Sequence, residues 1–288
     1  MGYFLKLVRT SRPIFWFSHF TLFIYGGLQS NSFHLNSFKF ILGVLILSLP
    51  FSLFIYAIND YYDIKTDLFN PRKGTIFGEK HDAVNVKALR IWGFTGLAFS
   101  LILAGFLGMY VLIMMIVLSL ILYSYSALPL RFKSVPIIDA LTGGGLYSYL
   151  LMVIGYFAFA GSGAKIINIF LAPFILFFLF GLASQLTGSL IDEKPDRKDN
   201  INTSVVFFGA NKIVSLCLVI LLTCLYLAQS NWLFAGFISI FIVSCIFSYS
   251  VKWRRNFFLQ TLGGAYFPLA FFAITILLYL IDPGLLKI

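Results

Sequence analysis

The sequence predicts an all-α membrane protein with about nine transmembrane helices, organised as one domain that covers residues 1–288. Of its 288 residues, 60% are hydrophobic and only 11% are charged, and the mean hydropathy is +0.92. A soluble domain usually has about a quarter of its residues charged. Apolar runs near the twenty or so residues needed to cross a bilayer recur along the chain, and the connections between them are too short for a soluble domain.

Each helix is predicted from one of these runs. The segment formed by the first twelve residues is short and basic. The apolar run that follows lacks the small-residue cleavage site of a signal peptide, so we interpret this run as the first span. The second and sixth runs each lead into an acidic stretch, and Gly108 separates the third run from the fourth. The short connections at 108 and near 230 leave the count uncertain by one. The predicted spans are 13–29, 40–58, 91–107, 109–126, 137–160, 167–191, 213–228, 232–250 and 262–281.

Basic residues are distributed unevenly between the two sides of these spans. Eighteen of the 21 Lys and Arg residues fall on the side of the N-terminus, and three fall on the other. Because cytoplasmic loops carry the excess of basic residues, the sequence predicts an integral, multi-pass protein of the cell membrane with a cytoplasmic N-terminus. Both acidic stretches then lie on the cytoplasmic side. The net charge of +10 is explained by this topology and gives no reason to propose nucleic acid as a partner.

The first acidic stretch is NDYYDIKTDLFNPRK, residues 59–73. If the preceding helix continues, Asp60, Asp63 and Asp67 share one face, and Asn59 extends that face at four-residue spacing. Like charges side by side repel, so the arrangement predicts a bound cation. Oxygen ligands suit Mg²⁺, which a few carboxylates commonly hold together with substrate phosphates. Two basic residues that follow suit the remaining phosphate oxygens: Arg72 and Lys73.

The second acidic stretch, DEKPDRKD at 192–199, repeats this pattern. Asp192, Asp196 and Asp199 are spaced for one helical face, although Pro195 should end or kink a helix that runs through it. Two carboxylate faces can hold two Mg²⁺ ions around one diphosphate. Loss of diphosphate from an allylic carbon leaves a carbocation, which apolar helices would protect from water. Basic residues interleave with the acids: Lys194, Arg197 and Lys198.

Other conspicuous residues receive structural interpretations. The three cysteines, in apolar runs, are expected to be small buried side chains, and the three histidines are too far apart in sequence to form a ligand set. Gly143–Gly145 is expected to pack closely against another helix. Arg9 and Arg12 are interpreted as topology charges, with an acceptor carboxylate as the alternative. The other residues concerned are Cys217, Cys224, Cys245, His19, His34 and His81.

These motifs together resemble the UbiA-type intramembrane prenyltransferases. Asn59 to Asp67 matches the family pattern NDxxDxxxD, and Asp192 with Asp196 matches its second pattern, DxxxD. The connection YSYSALPLRFKSVPIIDALTGG is similar to the family segment YSxxPxRxK with its following P and D. Further matches are Asn70 and Arg72, and the tail of the second motif at Asp199, Thr203 and Gly209.

The resemblance implies a bundle of nine helices around a central cavity and a Mg²⁺-dependent transfer of a prenyl group from an isoprenyl diphosphate to a lipophilic acceptor in the bilayer. It implies metal-binding roles for Asn59, Asp63, Asp67, Asp192 and Asp196, the four aspartates being the catalytic set. Diphosphate or substrate contacts are implied for Arg72, Arg131, Lys133 and Lys198, with Lys194 and the motif residue Asp60 as further candidates. The acceptor is expected to be a quinone precursor, a glycerol-phosphate lipid or a carotenoid. The opening SRPIFW with the first acidic stretch resembles the lycopene-elongase branch.

Two other classes of protein place carboxylates at the ends of membrane helices. A transporter of divalent cations does so, but its sites tend to lie near the bilayer midplane and need no basic residues beside the acids. A phosphotransferase acting on diphosphate-activated lipid heads shares the two-metal chemistry. The acidic spacing fits the prenyl pattern better.

Overall fold

The computed structural model of the protein describes residues 2–67, 73–75, 78–81, 86–229, 231–250 and 267–286. Within these residues the regular secondary structure is helical, apart from one isolated β-bridge between Thr75 and Gly78. The α-helices are α1 (Gly2–Thr10), α2 (Trp16–Leu28), α3 (Phe38–Leu47), α4 (Leu49–Asp67), α5 (Val86–Leu107), α6 (Met109–Ser126), α7 (Ile138–Ala140), α8 (Tyr147–Ala160), α9 (Ala172–Lys198), α10 (Ser204–Phe208), α11 (Ala210–Leu227), α12 (Trp232–Phe247) and α13 (Phe267–Ile281). A π-helical turn at Leu141–Leu146 joins α7 to α8.

Six helical segments in the described part of the chain are long and apolar enough to cross a membrane. This confirms the all-helical, multi-pass prediction. Two further apolar segments are shorter, at Phe234–Phe247 and Leu269–Ile281, and α2 has 13 residues, so the count of nine stays a prediction. The six segments are Phe38–Ile64, Val86–Leu107, Met109–Ser126, Ile138–Gly163, Ala172–Lys198 and Ala210–Leu227.

The helix that carries the first acidic stretch is interrupted at Ser48 and then runs without a break to Asp67. The interruption is compatible with Pro50, whose missing N–H is tolerated in the first turn of a helix. The buried His19 ring bonds Leu47 O at 3.1 Å and Ser52 Oγ at 3.2 Å, so it satisfies polar groups around the break. The prediction that the acidic stretch is helical through Asp67 is confirmed.

The helix that carries the second acidic stretch continues through Pro195 and ends at Lys198. Pro195 therefore does not end the helix, although it leaves one backbone carbonyl without its usual N–H donor. Asp192 and Asp196 lie one turn apart on this helix. Asp199 is the residue that caps the helix, with φ −95° and ψ 11°, and its N–H still donates to Pro195 O at 3.0 Å, so its predicted third position on the helical face stays a prediction.

The chain forms two compact units. The first consists of Met1–Arg131, Leu151–Ala164 and Pro268–Ala273, and there α2 and α8 touch through glycines. A Cβ at Gly26 would lie 1.9 Å from Met152 O, and one at Gly155 would lie 2.1 Å from Phe23 O. Small residues of this kind let helix backbones approach closely.

The second unit consists of Phe132–Leu150, Lys165–Phe267 and Ile274–Ile288. A Cβ at Gly144 in the π-helical turn would lie 2.3 Å from Gly181 O of α9, which confirms close packing at the triple glycine. The three cysteines are buried in this unit and their thiols lie near backbone carbonyls, as expected for small core side chains.

Candidate active site

The stripe of Asn59, Asp63 and Asp67 lies on the last two turns of α4. Asn59 Nδ2 donates to Asp63 Oδ2 at 3.1 Å and lies 3.3 Å from Ser126 Oγ at the end of α6. Arg131, in the connection after α6, donates to Asp63 Oδ1 at 3.2 Å. The structure therefore brings Arg131 to the first acidic motif, although the two lie 68 residues apart in sequence.

Asp60 is on the same helix but in a different environment, because its side chain is 1% exposed. Arg12 donates to its Oδ1 at 2.7 Å, Lys73 makes a second, very short ion pair with the same oxygen, and His81 Nε2 lies 3.4 Å from Oδ2. A buried carboxylate requires such partners, since burying an unpaired charge is costly. Sequence reasoning assigned Arg12 to topology and gave His81 no specific role. Only tertiary proximity reveals their contacts.

Lys73 joins two carboxylates of the first stretch. Its Nζ pairs with Asp60 and also lies 2.7 Å from Asp67 Oδ2, and its side chain is 4% exposed. Burial, opposed by the Lys73 ammonium and reinforced by the carboxylates of Asp60 and Asp63, raises the pKa of the Asp67 carboxyl above its ordinary value. The three carboxylates of this stretch therefore share three basic partners, of which Lys73 is the one that touches Asp67.

The second stretch is closer to solvent. Asp192 and Asp196 are partly buried on α9, whereas Lys194 and Lys198 are exposed. Ile201 N donates to the backbone oxygen of Asp196 at 2.9 Å and so folds the following segment back onto the helix end.

A buried clamp follows the second stretch. Asp139 accepts hydrogen bonds from Ser204 N at 2.8 Å and from Ser204 Oγ. Ile137 N in turn donates to Ser204 Oγ at 2.7 Å. The clamp ties the connection that contains Lys133, a partly buried residue in the 3₁₀ turn Phe132–Ser134, to the start of α10. Of the remaining predicted contacts, Arg72 and the neighbouring Asn70 lie outside the described residues.

The donor atoms fit magnesium if water and substrate phosphates complete its coordination shell. Among the described residues, no three His, Cys, Asp or Glu side chains converge closely enough to hold a metal by themselves. Mg²⁺ usually takes one or two carboxylates and completes its shell with water and substrate phosphates. The oxygens of Asp63 and Asp67, one turn apart beside basic side chains, match that pattern.

Comparison with known proteins identifies the family of this chain. The model of the UbiA prenyltransferase family matches residues 19–257. A lycopene elongase/hydratase of Corynebacterium glutamicum is 30% identical over 251 residues, which cover 86% of this chain and 85% of that protein. Another lycopene elongase/hydratase, from Haloarcula japonica, is 29% identical over 81% of this chain and 76% of its own length.

The fold is similar to that of solved UbiA homologues. The structure of a UbiA homologue from Archaeoglobus fulgidus bound to DMAPP and Mg²⁺ superposes with a TM-score of 0.69 at 21% identity, covering 93% of this chain and 96% of the other. Together with the family match, the membrane helices show that the chain is a prenyltransferase. The chain belongs to the UbiA prenyltransferase family.

Proposed function

We propose that this enzyme transfers a prenyl group from an isoprenyl diphosphate to a carotenoid-type acceptor, in a reaction that depends on Mg²⁺. The observation that carries the proposal is the stripe of Asn59, Asp63 and Asp67 on α4, with Arg131 paired to Asp63 and Lys73 paired to Asp67. Hard oxygen ligands beside basic side chains are what a magnesium diphosphate requires.

The proposed roles follow from the chemistry of each side chain. Magnesium, when bound, would neutralise charge that develops on the departing diphosphate. The metal ligands would be Asn59, Asp63 and Asp67 in the first stretch and Asp192 and Asp196 in the second. The phosphate oxygens would be bound by basic residues, namely Arg72, Arg131, Lys133, Lys194 and Lys198.

The bond changes balance without a further reactant. The bond between the allylic carbon and the diphosphate oxygen breaks, and its electron pair leaves with the diphosphate. A double bond of the acceptor attacks the allylic carbon, and the acceptor then loses a proton. Apolar surroundings would keep water from the cation.

The choice of acceptor class is supported by the relatives. Two of them are lycopene elongase/hydratases, and the C. glutamicum protein aligns with most of this chain. A polyene acceptor also needs no dedicated carboxylate-binding residue. Arg12, the alternative for such a role, is already paired with Asp60. Quinone precursors and glycerol-phosphate lipids remain in the family's range and belong in the test.

We further propose that the whole chain is one prenyltransferase domain with nine spans and a cytoplasmic N-terminus. The shorter helices α2, α12 and α13 would complete the six long spans, and the 18 basic residues on one side support the orientation. The site would then face the cytoplasm. Labelling of single cysteines introduced in α1 and in the connection after α4 would check the orientation.

The test is turnover of the purified protein in lipid, with Mg²⁺, radiolabelled prenyl diphosphates of increasing length and a panel of lycopene, quinone precursors and glycerol-phosphate lipids. We expect a labelled carotenoid adduct from the wild type and none from Asp63→Asn. A labelled adduct with another acceptor alone would overturn the carotenoid assignment. Absence of any Mg²⁺-dependent donor binding would overturn the proposed site. The transporter alternative loses support because the chain belongs to a prenyltransferase family.

A further inference from the structure

We infer that Arg12 and Asp60 are a positioning pair for the Lys73 ammonium. Because Lys73 keeps Asp60 as its partner, magnesium can bind the carboxylate of Asp67 without competition from Lys73. The inference rests on the proposed function, since it concerns the same site. It replaces the expectation that Asp60 touches substrate.

The geometry leaves Asp60 little capacity for a substrate contact. Its side chain is 1% exposed, Oδ1 is shared by Arg12 and Lys73, and His81 faces Oδ2. Asp63 and Asp67 are more exposed, at 7% and 17%; Asp63 pairs with Arg131, and Asp67 shares Lys73 with Asp60. Asp60 is therefore an internal anchor.

Arg12, which follows α1, contacts both α4 and the connection after α4 at this anchor. Its guanidinium lies 4.4 Å from the centre of the Tyr56 ring and pairs with Asp60, both on α4. A Cβ on Gly78, in the connection after α4, would lie 3.0 Å from Arg12 Nε. The guanidinium thus fills the space between the acidic helix and the connection that brings Lys73 back to it.

The backbone of Arg12 supports the same conclusion. Its φ of 50° and ψ of 71° are left-handed, which is unusual for a residue other than glycine. Such conformations persist where the surroundings over-determine them, and they are common at functional sites. Next to it, Thr10 Oγ1 lies 3.3 Å from His81 Nε2, so the end of α1 also contacts the connection.

Charge pairing explains how this affects the metal. Four groups alternate in sign as Arg12, Asp60, Lys73 and Asp67. While Asp60 is present, Lys73 keeps a buried partner when a cation takes the carboxylate of Asp67. Without Asp60, the buried ammonium depends on Asp67 and competes with the metal, because an unpaired buried charge is costly.

The experiment uses the full-length protein in lipid nanodiscs and has two measurements. Binding of Mn²⁺, as a spectroscopic substitute for Mg²⁺, is measured by electron paramagnetic resonance without turnover. Initial rates are then measured across Mg²⁺ and donor concentrations. The variants are Asp60→Asn, Arg12→Gln, their combination, and Asp60→Asn with Lys73→Met. Arg9→Gln is the matched control, since Arg9 is a nearby arginine with a 60% exposed side chain.

We expect Asp60→Asn to weaken Mn²⁺ binding and raise the half-saturating Mg²⁺ concentration at least about 10-fold, as loss of a group that orients a metal ligand typically does. Adding Lys73→Met should restore Mn²⁺ affinity, because the competing ammonium is gone. Arg12→Gln combined with Asp60→Asn should be no worse than Asp60→Asn alone, and Arg9→Gln should match the wild type.

Several results would overturn the inference. One is wild-type Mn²⁺ affinity in Asp60→Asn, and another is a Lys73→Met addition that fails to restore affinity. Losses that multiply in the Arg12 and Asp60 double variant would mean that Arg12 acts on its own.

If Asp60→Asn does not fold, Arg12→Lys serves instead, and an unchanged donor KM and Mn²⁺ affinity in it would overturn the pair. Asp63→Asn is run in parallel: full activity there defeats the proposed site itself, whereas inactivity there with a normal Asp60→Asn defeats the positioning pair alone.

Discussion

The two acidic stretches have similar spacing and different surroundings. In the first, Asp60 and Asp63 are buried and pair with Arg12 and Arg131, which come from distant parts of the chain. In the second, the acids are partly exposed, and Glu193 pairs with Arg197 one turn along the same helix at 3.2 Å. Similar sequence patterns thus occur once with buried ion pairs to distant residues and once with a more exposed ion pair within one helix.

The largest expected effect would show whether the stretches are equal in chemistry. If both hold magnesium, Asp63→Asn and Asp192→Asn should each lower turnover on the order of 10³-fold, the loss typical when a group that stabilises developing charge is removed. The measurement is the initial rate of labelled adduct formation at saturating Mg²⁺. The control is Asp282→Asn, an exposed acid outside both stretches, and a full rate in Asp192→Asn would restrict metal binding to the first stretch.

The second prediction concerns stability and separates the two stretches. Asp60→Asn leaves Arg12 and Lys73 buried without their shared carboxylate, so the free energy of unfolding should fall by about 3–5 kcal/mol. Glu193→Gln breaks an exposed pair and should cost at most about 1 kcal/mol. Unfolding in detergent, followed by circular dichroism, measures both. Equal losses of unfolding free energy in Asp60→Asn and Glu193→Gln would contradict the buried environment of the first residue and the exposed pair of the second.

A third prediction concerns the clamp behind the second stretch. Ser204→Ala removes the hydroxyl that donates to Asp139 and accepts from Ile137 N. Leaving these buried groups without a partner should lower the free energy of unfolding by about 1–3 kcal/mol. The matched control is Ser239→Ala, whose exposed hydroxyl bonds the carbonyl of Ala235 in its own helix. Thermal unfolding of the two variants should differ clearly, and a Ser204→Ala protein as stable as the control would show that the clamp is dispensable.

The smallest effect belongs to the exposed basic side of α9. Arg197→Gln should change the free energy of unfolding by less than about 0.5 kcal/mol, as for a helical pair at four-residue spacing. The difference should shrink further in about 1 M salt, where the screening length is roughly 3 Å. Comparing unfolding at low and high salt measures this. A large, salt-independent loss would mean that Arg197 belongs to a buried network.

Prediction from sequence was most reliable where a local pattern carries the information. The helical continuation to Asp67 follows from residues at four-residue spacing, and α6 begins and ends where its apolar run does. Pro195 and Asp199 show the limit, because tolerance of proline and the end of a helix depend on contacts that spacing does not encode.

The sequence by itself determined the class of protein, since composition, apolar run lengths and two acidic motifs require a membrane and favour a diphosphate substrate. The tertiary structure decided which charges meet. Arg12, a topology charge by its position, becomes the partner of Asp60 because α1 and the connection after α4 converge on the same helix turn. Buried charges must find partners wherever the fold brings them, and a contact across 48 residues has no signature in local spacing.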